Sequence, residues 1–440
     1  MAHSKNVAAA AAVGRRGSRV STIAAILAVA ACSSMQAQNE STNRTALLPA
    51  LPIKAAPAAR TPLTADEKQF YRDMAQQSWK YLRRYYQPTT GLVNGTPEWP
   101  YTTLWDVGGQ LLGMHAAKEL GLLTQDDYDL RVKRTLSFLL RARRYKKIAY
   151  SKLYSTKTGA RGSHAGWTST DLGRFLLALK ITAVREPQLA AQVEAVARRI
   201  DFRSVVRDGY LFGQEPGSKR GTLHTYQEGR IGYEQYVAAG FNQWGADLSK
   251  AMDLQQNGRP KEIMGVTLLE DGRHLDRLLS EPFILYELEL GMPDDLRQLA
   301  ANVLKAQEAR YKSTGTITIA SEDAVAVPPN YFYYYCVYCN GKPFVIDIAN
   351  PGHERDSPRW VSTKGAFGWN AIMPSDYTKK ATEYVATALD PDRGWASGVY
   401  EGTGKSTRSW DVNTASVLLE IALYQLRDRK PLIEAAPLLP

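Results

Sequence analysis

Cysteine is nearly absent: three in 440 residues. That is too few for a disulfide scaffold, and no second Cys/His pair stands at ligand spacing beside Cys336 and Cys339 to complete a zinc site. Those two are expected as a local disulfide or as two buried thiols. Also missing are an HExxH string, a P-loop and a dinucleotide fingerprint. Gly402-Thr403-Gly404-Lys405-Ser406 holds a GKS fragment without the Walker spacing or a preceding apolar strand. Metalloprotease, NTPase and dehydrogenase chemistry are thus disfavoured, and neither cofactor nor metal is expected. Histidine is scarce: His115 lies on an apolar helix pattern and reads as a core residue, whereas His164 and His224 lie in loops. No Pro/Ser/Gly-rich linker interrupts the chain after residue 64 and no fixed repeat period recurs, which favours one large domain over a repeat array.

What is present begins with an export pattern. Arg15, Arg16 and Arg19 precede an apolar stretch, Val20 to Ala31, too short to span a bilayer. It closes on Val29-Ala30-Ala31-Cys32, which resembles a bacterial lipobox with Cys32 as the lipidated residue. The expectation is an exported, monomeric protein, anchored by lipid in the bacterial outer membrane and facing the periplasm or the surface. Residues 1–32 are then a lipoprotein signal, 33–63 a flexible tether, 64–430 the folded domain and 431–440 a tail. The chain is net +11, of which residues 1–60 carry +6. The cluster Arg141, Arg143, Arg144, Lys146 and Lys147 closes an apparent helix, where cations suit the dipole. With an export address, no nucleic-acid partner is expected.

Helical periodicity dominates the domain. Thr64 to Tyr86 opens with a capping-type start and presents Phe70, Met74, Trp79, Leu82 and Tyr85 on one face. Further helices are predicted over 103–120, 124–144, 169–184 and 187–200, and near 232–252, 281–291, 294–311, 364–373, 375–388 and 410–427. Some are amphipathic, such as 189–200. Others, such as 107–114 and 412–423, are apolar around their circumference and must be buried on all sides. Alternating half-exposed and buried helices predict an all-α fold, an (α/α)6 barrel or toroid. Strand-like pieces at Thr316–Ala320 and Tyr331–Ile348 are expected as small β-hairpins over one rim.

The apolar helices share acidic, aromatic openings: Trp105-Asp106, Trp167 to Asp171, Tyr233-Glu234 and Trp410-Asp411. Asp, Ser and Thr are favoured at helix starts as caps, but caps do not require tryptophan. In a barrel these openings converge on one cavity, and flat aromatics there suit sugar rings. Trp369 and Trp395 are further candidates. Glycosidic cleavage needs two acids with separated pKa values. Tyr226 to Tyr236 supplies Glu228, Arg230 and Glu234 among three tyrosines, Gly394 to Glu401 supplies Glu401, and Asp411 follows.

Over about residues 66–428 the chain resembles a bacterial family catalogued as domain of unknown function 3131. The resemblance rests on Thr103 to Gly108, Ser169 to Arg174, Tyr233-Glu234, Asn340 to Phe344, Ser362 to Trp369 and Gly394 to Glu401. The family is similar to the glucoamylase-like (α/α)6 clan that includes endo-β-1,2-glucanases. In that clan a Gly-Tyr-Asn-Glu string supplies the general acid; Gly232-Tyr233-Glu234 is one residue shorter and implies Glu234. A late inner-helix aspartate implies Asp411 as base. Asp106, Asp171, Arg230 and Lys364 are implied as sugar-binding with the tryptophans. The resemblance implies a metal-free, inverting β-glucan hydrolase, best matched to linear β-1,2-glucan and releasing sophorooligosaccharides. The alternatives are a non-catalytic glucan-binding lipoprotein, or a lyase or transglycosylase on the same scaffold.

Overall fold

The helix starts written into the sequence are built as capped ends. Thr64, Thr103, Thr124 and Thr168 each accept a hydrogen bond from the N–H three residues on, opening α1 (Ala65–Tyr85), α2 (Leu104–Glu119), α3 (Gln125–Arg141) and α4 (Ser169–Arg185). In this computed structural model the described residues are 62–163, 165–217, 219, 222–273, 276–327, 332–347 and 355–434. The expected signal, Cys32 and nearly all of the expected tether lie outside them. Among the described residues, seven further helices have eight or more residues: α5 (Ala190–Ala197), α6 (Tyr233–Asn242), α7 (Glu281–Glu289), α8 (Asp294–Thr314), α9 (Thr363–Ile372), α10 (Asp376–Val385) and α11 (Val412–Leu426).

Burial sorts them into two rings. Helices α2, α4, α6, α7, α9 and α11 bury most or all of their residues. Each packs on the next and α11 returns to α2, which closes an inner ring of six. The others bury one stripe and lie outside, with the short helix Ser249–Met252 packed on α6. This is the (α/α)6 architecture. Small residues let the inner helices approach. A Cβ on Gly173 of α4 would meet Val237 Cβ of α6 at 2.3 Å, and one on Gly240 would meet the Gly173 carbonyl oxygen at 2.2 Å. An alanine at either position would push two backbones apart.

Several expectations change. The helix expected over 124–144 ends at Arg141, with Arg144 in a short strand, and His224 lies on a strand, not in a loop. The helix expected near 232–252 ends at Asn242 and restarts at Ser249, because Gly245 turns the chain with φ +85°. Thr316–Ala320 is not a strand. Its backbone is held singly, with the Ala320 N–H on Gln307 Oε1 at 2.7 Å, and pairing starts at Glu322. The β structure forms short antiparallel pieces. Those that matter for the cavity are the hairpin Tyr210–Pro216/Leu223–Gln227 and the sheet of Glu322–Ala324, Phe332–Tyr335 and Ile346–Asp347. Cys336 and Cys339 form a disulfide.

Candidate active site

The N-terminal ends of the inner helices meet around a cavity of about 470 Å³. Helix α2 contributes Trp105 and Asp106, α4 Thr170 and Asp171, α6 Tyr233, α9 Lys364, and the start of α11 Asp411 and Asn413. The hairpin adds Glu215, His224 and Tyr226, and the following turn adds Glu228 and Arg230. Glu322, Asp323, Phe332 and Tyr334 of the small sheet close another wall, together with Lys152 and Arg277. The result is a polar cavity with aromatic faces on several sides, a pattern suited to a polyhydroxylated ring.

Some of these carboxylates are held fast. Glu228 accepts from Ser169 Oγ (2.8 Å), Thr170 N (2.7 Å) and Thr170 Oγ1 (2.7 Å), while Arg230 donates to Thr170 Oγ1 at 3.0 Å. Asp323 accepts from Trp360 Nε1, Ser362 Oγ and Lys364 Nζ at 2.8, 3.1 and 2.8 Å. Asp411 caps α11, accepting from Thr414 N at 2.7 Å and Oγ1 at 2.8 Å. The Glu322 carboxylate accepts the Tyr233 hydroxyl at 2.7 Å, and its main-chain carbonyl accepts Lys364 Nζ. Asp171 differs from all of them. Its N–H is capped by Thr168, but no described residue donates to its carboxylate, which stays partly open to the cavity.

Burial dominates the electrostatics. It pushes Asp171 up to about 7; Lys152 opposes the rise, while Glu228, Asp106 and Glu322 reinforce it. Burial and then repulsion from Asp411 push Asp106 up to about 6. Asp411 is raised by burial and held back by Lys364. Glu322 is raised by burial and by Glu281. Burial and mutual repulsion thus favour the protonated form of these carboxyl groups.

Beneath the floor lies a carboxylate that the cavity does not reach. Glu281, in the first turn of α7, accepts from Trp105 Nε1 at 3.3 Å and Asn413 Nδ2 at 2.6 Å, and pairs with Lys364 at 3.2 Å. Arg174 of α4 donates to Asn413 Oδ1 at 2.5 Å and lies over the Trp105 ring at 4.8 Å. One buried anion thus fixes three groups that face the cavity, each from a different inner helix.

From the sequence reading the cavity gathers Trp105, Asp106, Asp171, His224, Tyr226, Glu228, Arg230, Tyr233, Lys364 and Asp411, and leaves out Trp167, Glu234, Trp369, Trp395, Glu401 and Trp410. Glu234 is fully buried outside the lining. Gln227 Nε2 donates to it at 2.9 Å and Arg273 Nη2 at 2.5 Å, and Arg273 also holds Asp271. One residue along a helix turns the side chain by about 100°, so when Tyr233 faces the cavity Glu234 faces away. Glu401 is tied to Arg310 at 3.0 and 2.9 Å and to the Tyr335 hydroxyl at 2.7 Å. Trp167, Trp369, Trp395 and Trp410 are buried packing residues. Trp395 sits edge-on to Phe367, and Trp410 donates to the Gly394 carbonyl at 3.1 Å. Beside Trp105, the aromatic lining comes from Tyr226, Tyr233, Phe332 and Tyr334 in place of the other expected tryptophans. The sequence reading missed Glu322, Asp323, Tyr334 and Arg277. The adjacent acids Glu322-Asp323, just ahead of the tyrosine-rich run 331–335, were the available signal.

Residues 73–428 match the family described as "Protein of unknown function (DUF3131)". No curated protein sequence matches the chain. Among solved structures, the chain is similar to an endo-β-1,2-glucanase from Chitinophaga pinensis, in complex with sophorotriose and glucose. The TM-score is 0.60 at 12% identity, over 84% of this chain and 94% of that one. It is also similar to a provisionally assigned glucoamylase from Bacteroides caccae (TM-score 0.60, 13% identity, 83% and 94% covered). A third likeness is to an endo-β-1,2-glucanase variant from Talaromyces funiculosus in complex with β-1,2-glucan (0.52, 13%, 81% and 84%). At these identities the likeness establishes the shared fold.

Proposed function

The chain belongs to the DUF3131 family, and on that premise we propose that it is a glycoside hydrolase that cleaves a β-linked glucan inside the inner-ring cavity. The observation that carries the reading is Asp171: a carboxyl group facing the cavity, with no donor to it among the described residues and its pKa pushed up to about 7. Such a group keeps its proton near neutrality and can give it to the oxygen of a departing sugar. In this reading Asp171 is the general acid in place of Glu234, which the cavity does not reach. Asp411 is the base that activates water, and Lys364 beside it favours its ionised form. Trp105, Tyr226, Tyr233 and Tyr334 offer ring faces to the glucan, and Arg230 and Glu228 bond its hydroxyls.

The neighbours that bind β-1,2-linked glucose support linear β-1,2-glucan as the substrate. The endo-β-1,2-glucanase neighbours support endo action, and an inverting course is part of the same proposal. Export and lipidation at Cys32 belong to the same proposal, because they would bring the enzyme to polymer outside the cytoplasm. Incubating the protein with linear β-1,2-glucan and with β-1,3- and β-1,4-glucans tests it. Reducing ends are expected to rise with the β-1,2 polymer, and Asp171→Asn should slow their release about 1,000-fold. No product from any β-glucan would overturn the proposal.

A further inference from the structure

Between Asp129 and Asp171 the chain carries eleven Lys and Arg and not one Asp or Glu, whereas residues 61–440 as a whole are net +5. The rest of the domain is therefore net −6, and positive charge is concentrated in this one stretch. Several of its cations are engaged. Arg131 lies over the Tyr86 ring at 4.4 Å, Lys133 pairs with Asp129 at 2.9 Å, and Arg134 donates to the Pro88 carbonyl at 2.7 Å. Arg144 donates to the Arg199 carbonyl, and Arg161 lies over the Tyr145 ring at 5.2 Å. Arg141, Arg143, Lys146, Lys147 and Lys157 are exposed, and no described group pairs with their side chains.

These five lie on one face. Arg141 ends α3. Lys146 and Lys147, at φ 48° and 64°, make the turn of the hairpin Arg144–Tyr145/Ala149–Tyr150. Lys157 sits in the loop whose Gly159 packs on Phe138 of α3. The Tyr154 hydroxyl donates to the Arg143 carbonyl at 2.8 Å and ties that loop to the hairpin. Every aromatic ring beneath the face is buried: Phe138, Tyr145, Tyr150 and Tyr154. Among the described residues nothing flat is offered there for stacking on sugar rings or bases, which disfavours glycan and single-stranded nucleic acid. Leu130, 56% exposed, lies in a shallow groove on the same helix with Lys133, Arg134 and Arg141. Spread-out cations around an exposed aliphatic side chain match a headgroup layer.

We propose that this face, the outer end of α3 with the Arg144–Tyr150 hairpin, docks on an anionic lipid surface through headgroup phosphates. The test is co-sedimentation of the full chain with two kinds of vesicle. One is pure phosphatidylcholine, which reports any contribution of the apolar N-terminal stretch. The other contains about 30% phosphatidylglycerol. The R141Q/R143Q/K146N/K147G variant removes four charges and keeps residues that tolerate a left-handed turn. Partitioning to the anionic vesicles is expected to exceed that to neutral ones by about tenfold or more. It should collapse in about 0.5 M salt. In the variant it should fall to the level seen with neutral vesicles, with an unchanged circular dichroism melt. Equal binding to both vesicle types, binding retained by the variant, or tighter retention by soluble alginate or duplex DNA of matched charge would overturn the proposal.

Discussion

Asp171 and Glu234 open neighbouring inner helices, are both buried in large part, and are both pushed up to about 7 by burial. By titration alone they are equivalent. By geometry they are opposites. No described residue donates to the Asp171 carboxylate, which lines the cavity, whereas Glu234 is sealed behind α6 by Gln227 and Arg273. A raised pKa marks desolvation, and desolvation serves a catalytic pocket and a structural ion pair alike. Only the direction of the side chain separates the two.

The largest expected effect breaks that equivalence. Asp171→Asn should cut turnover about 1,000-fold and leave the fold intact. Glu234→Gln should keep turnover within about tenfold and lower stability by about 1 kcal/mol, because Arg273 loses one of its two carboxylate partners and keeps Asp271. Thermal melts beside reducing-end assays check both halves. Next comes Glu281→Gln, which leaves the cavity lining in place but removes the anion that holds Trp105, Asn413 and Lys364. A fall of about 100-fold in kcat/KM is expected, larger in kcat than in KM.

Much of this arrangement is legible in the sequence, for identifiable reasons. Thr64, Thr103 and Thr124 announce helix starts because a hydroxyl three residues ahead of an N–H is a local signal. The inner ring shows itself because Val412 to Leu423 has no polar face. The convergence of Asp106, Asp171 and Asp411 follows once those helices are inner. What the sequence hides is azimuth in the first turn, which put Glu234 forward ahead of Asp171. It also hides tertiary partners: nothing local to Glu401 reveals Arg310, and nothing local to Trp369 or Trp395 reveals that they face the core. Nor were cap and function alternatives, since Asp411 both caps α11 and lines the cavity.

Smaller effects sharpen the contrast through pH. The folded-state pKa of Asp171 lies above its unfolded value. The folded protein therefore binds the extra proton between about pH 4 and pH 7, and stability attributable to this group falls as pH rises through that window. Asp171→Asn removes the cost. In denaturant melts the variant should gain at least about 1 kcal/mol over the native chain at about pH 8, and little or nothing at about pH 4. The smallest effect belongs to Lys152, whose charge lowers the Asp171 pKa. Lys152→Met should move the alkaline limb of the rate profile upward by about half a pH unit, with Asp171 still present.

The most direct measurement is the release of reducing ends from linear β-1,2-glucan by three proteins side by side: the native chain, Asp171→Asn and Glu234→Gln. Turnover by the native chain, near-native turnover by Glu234→Gln and almost none by Asp171→Asn is the expected result. Activity lost in Glu234→Gln and kept in Asp171→Asn would contradict it, because the reacting sugar would then lie behind α6 and not in the cavity.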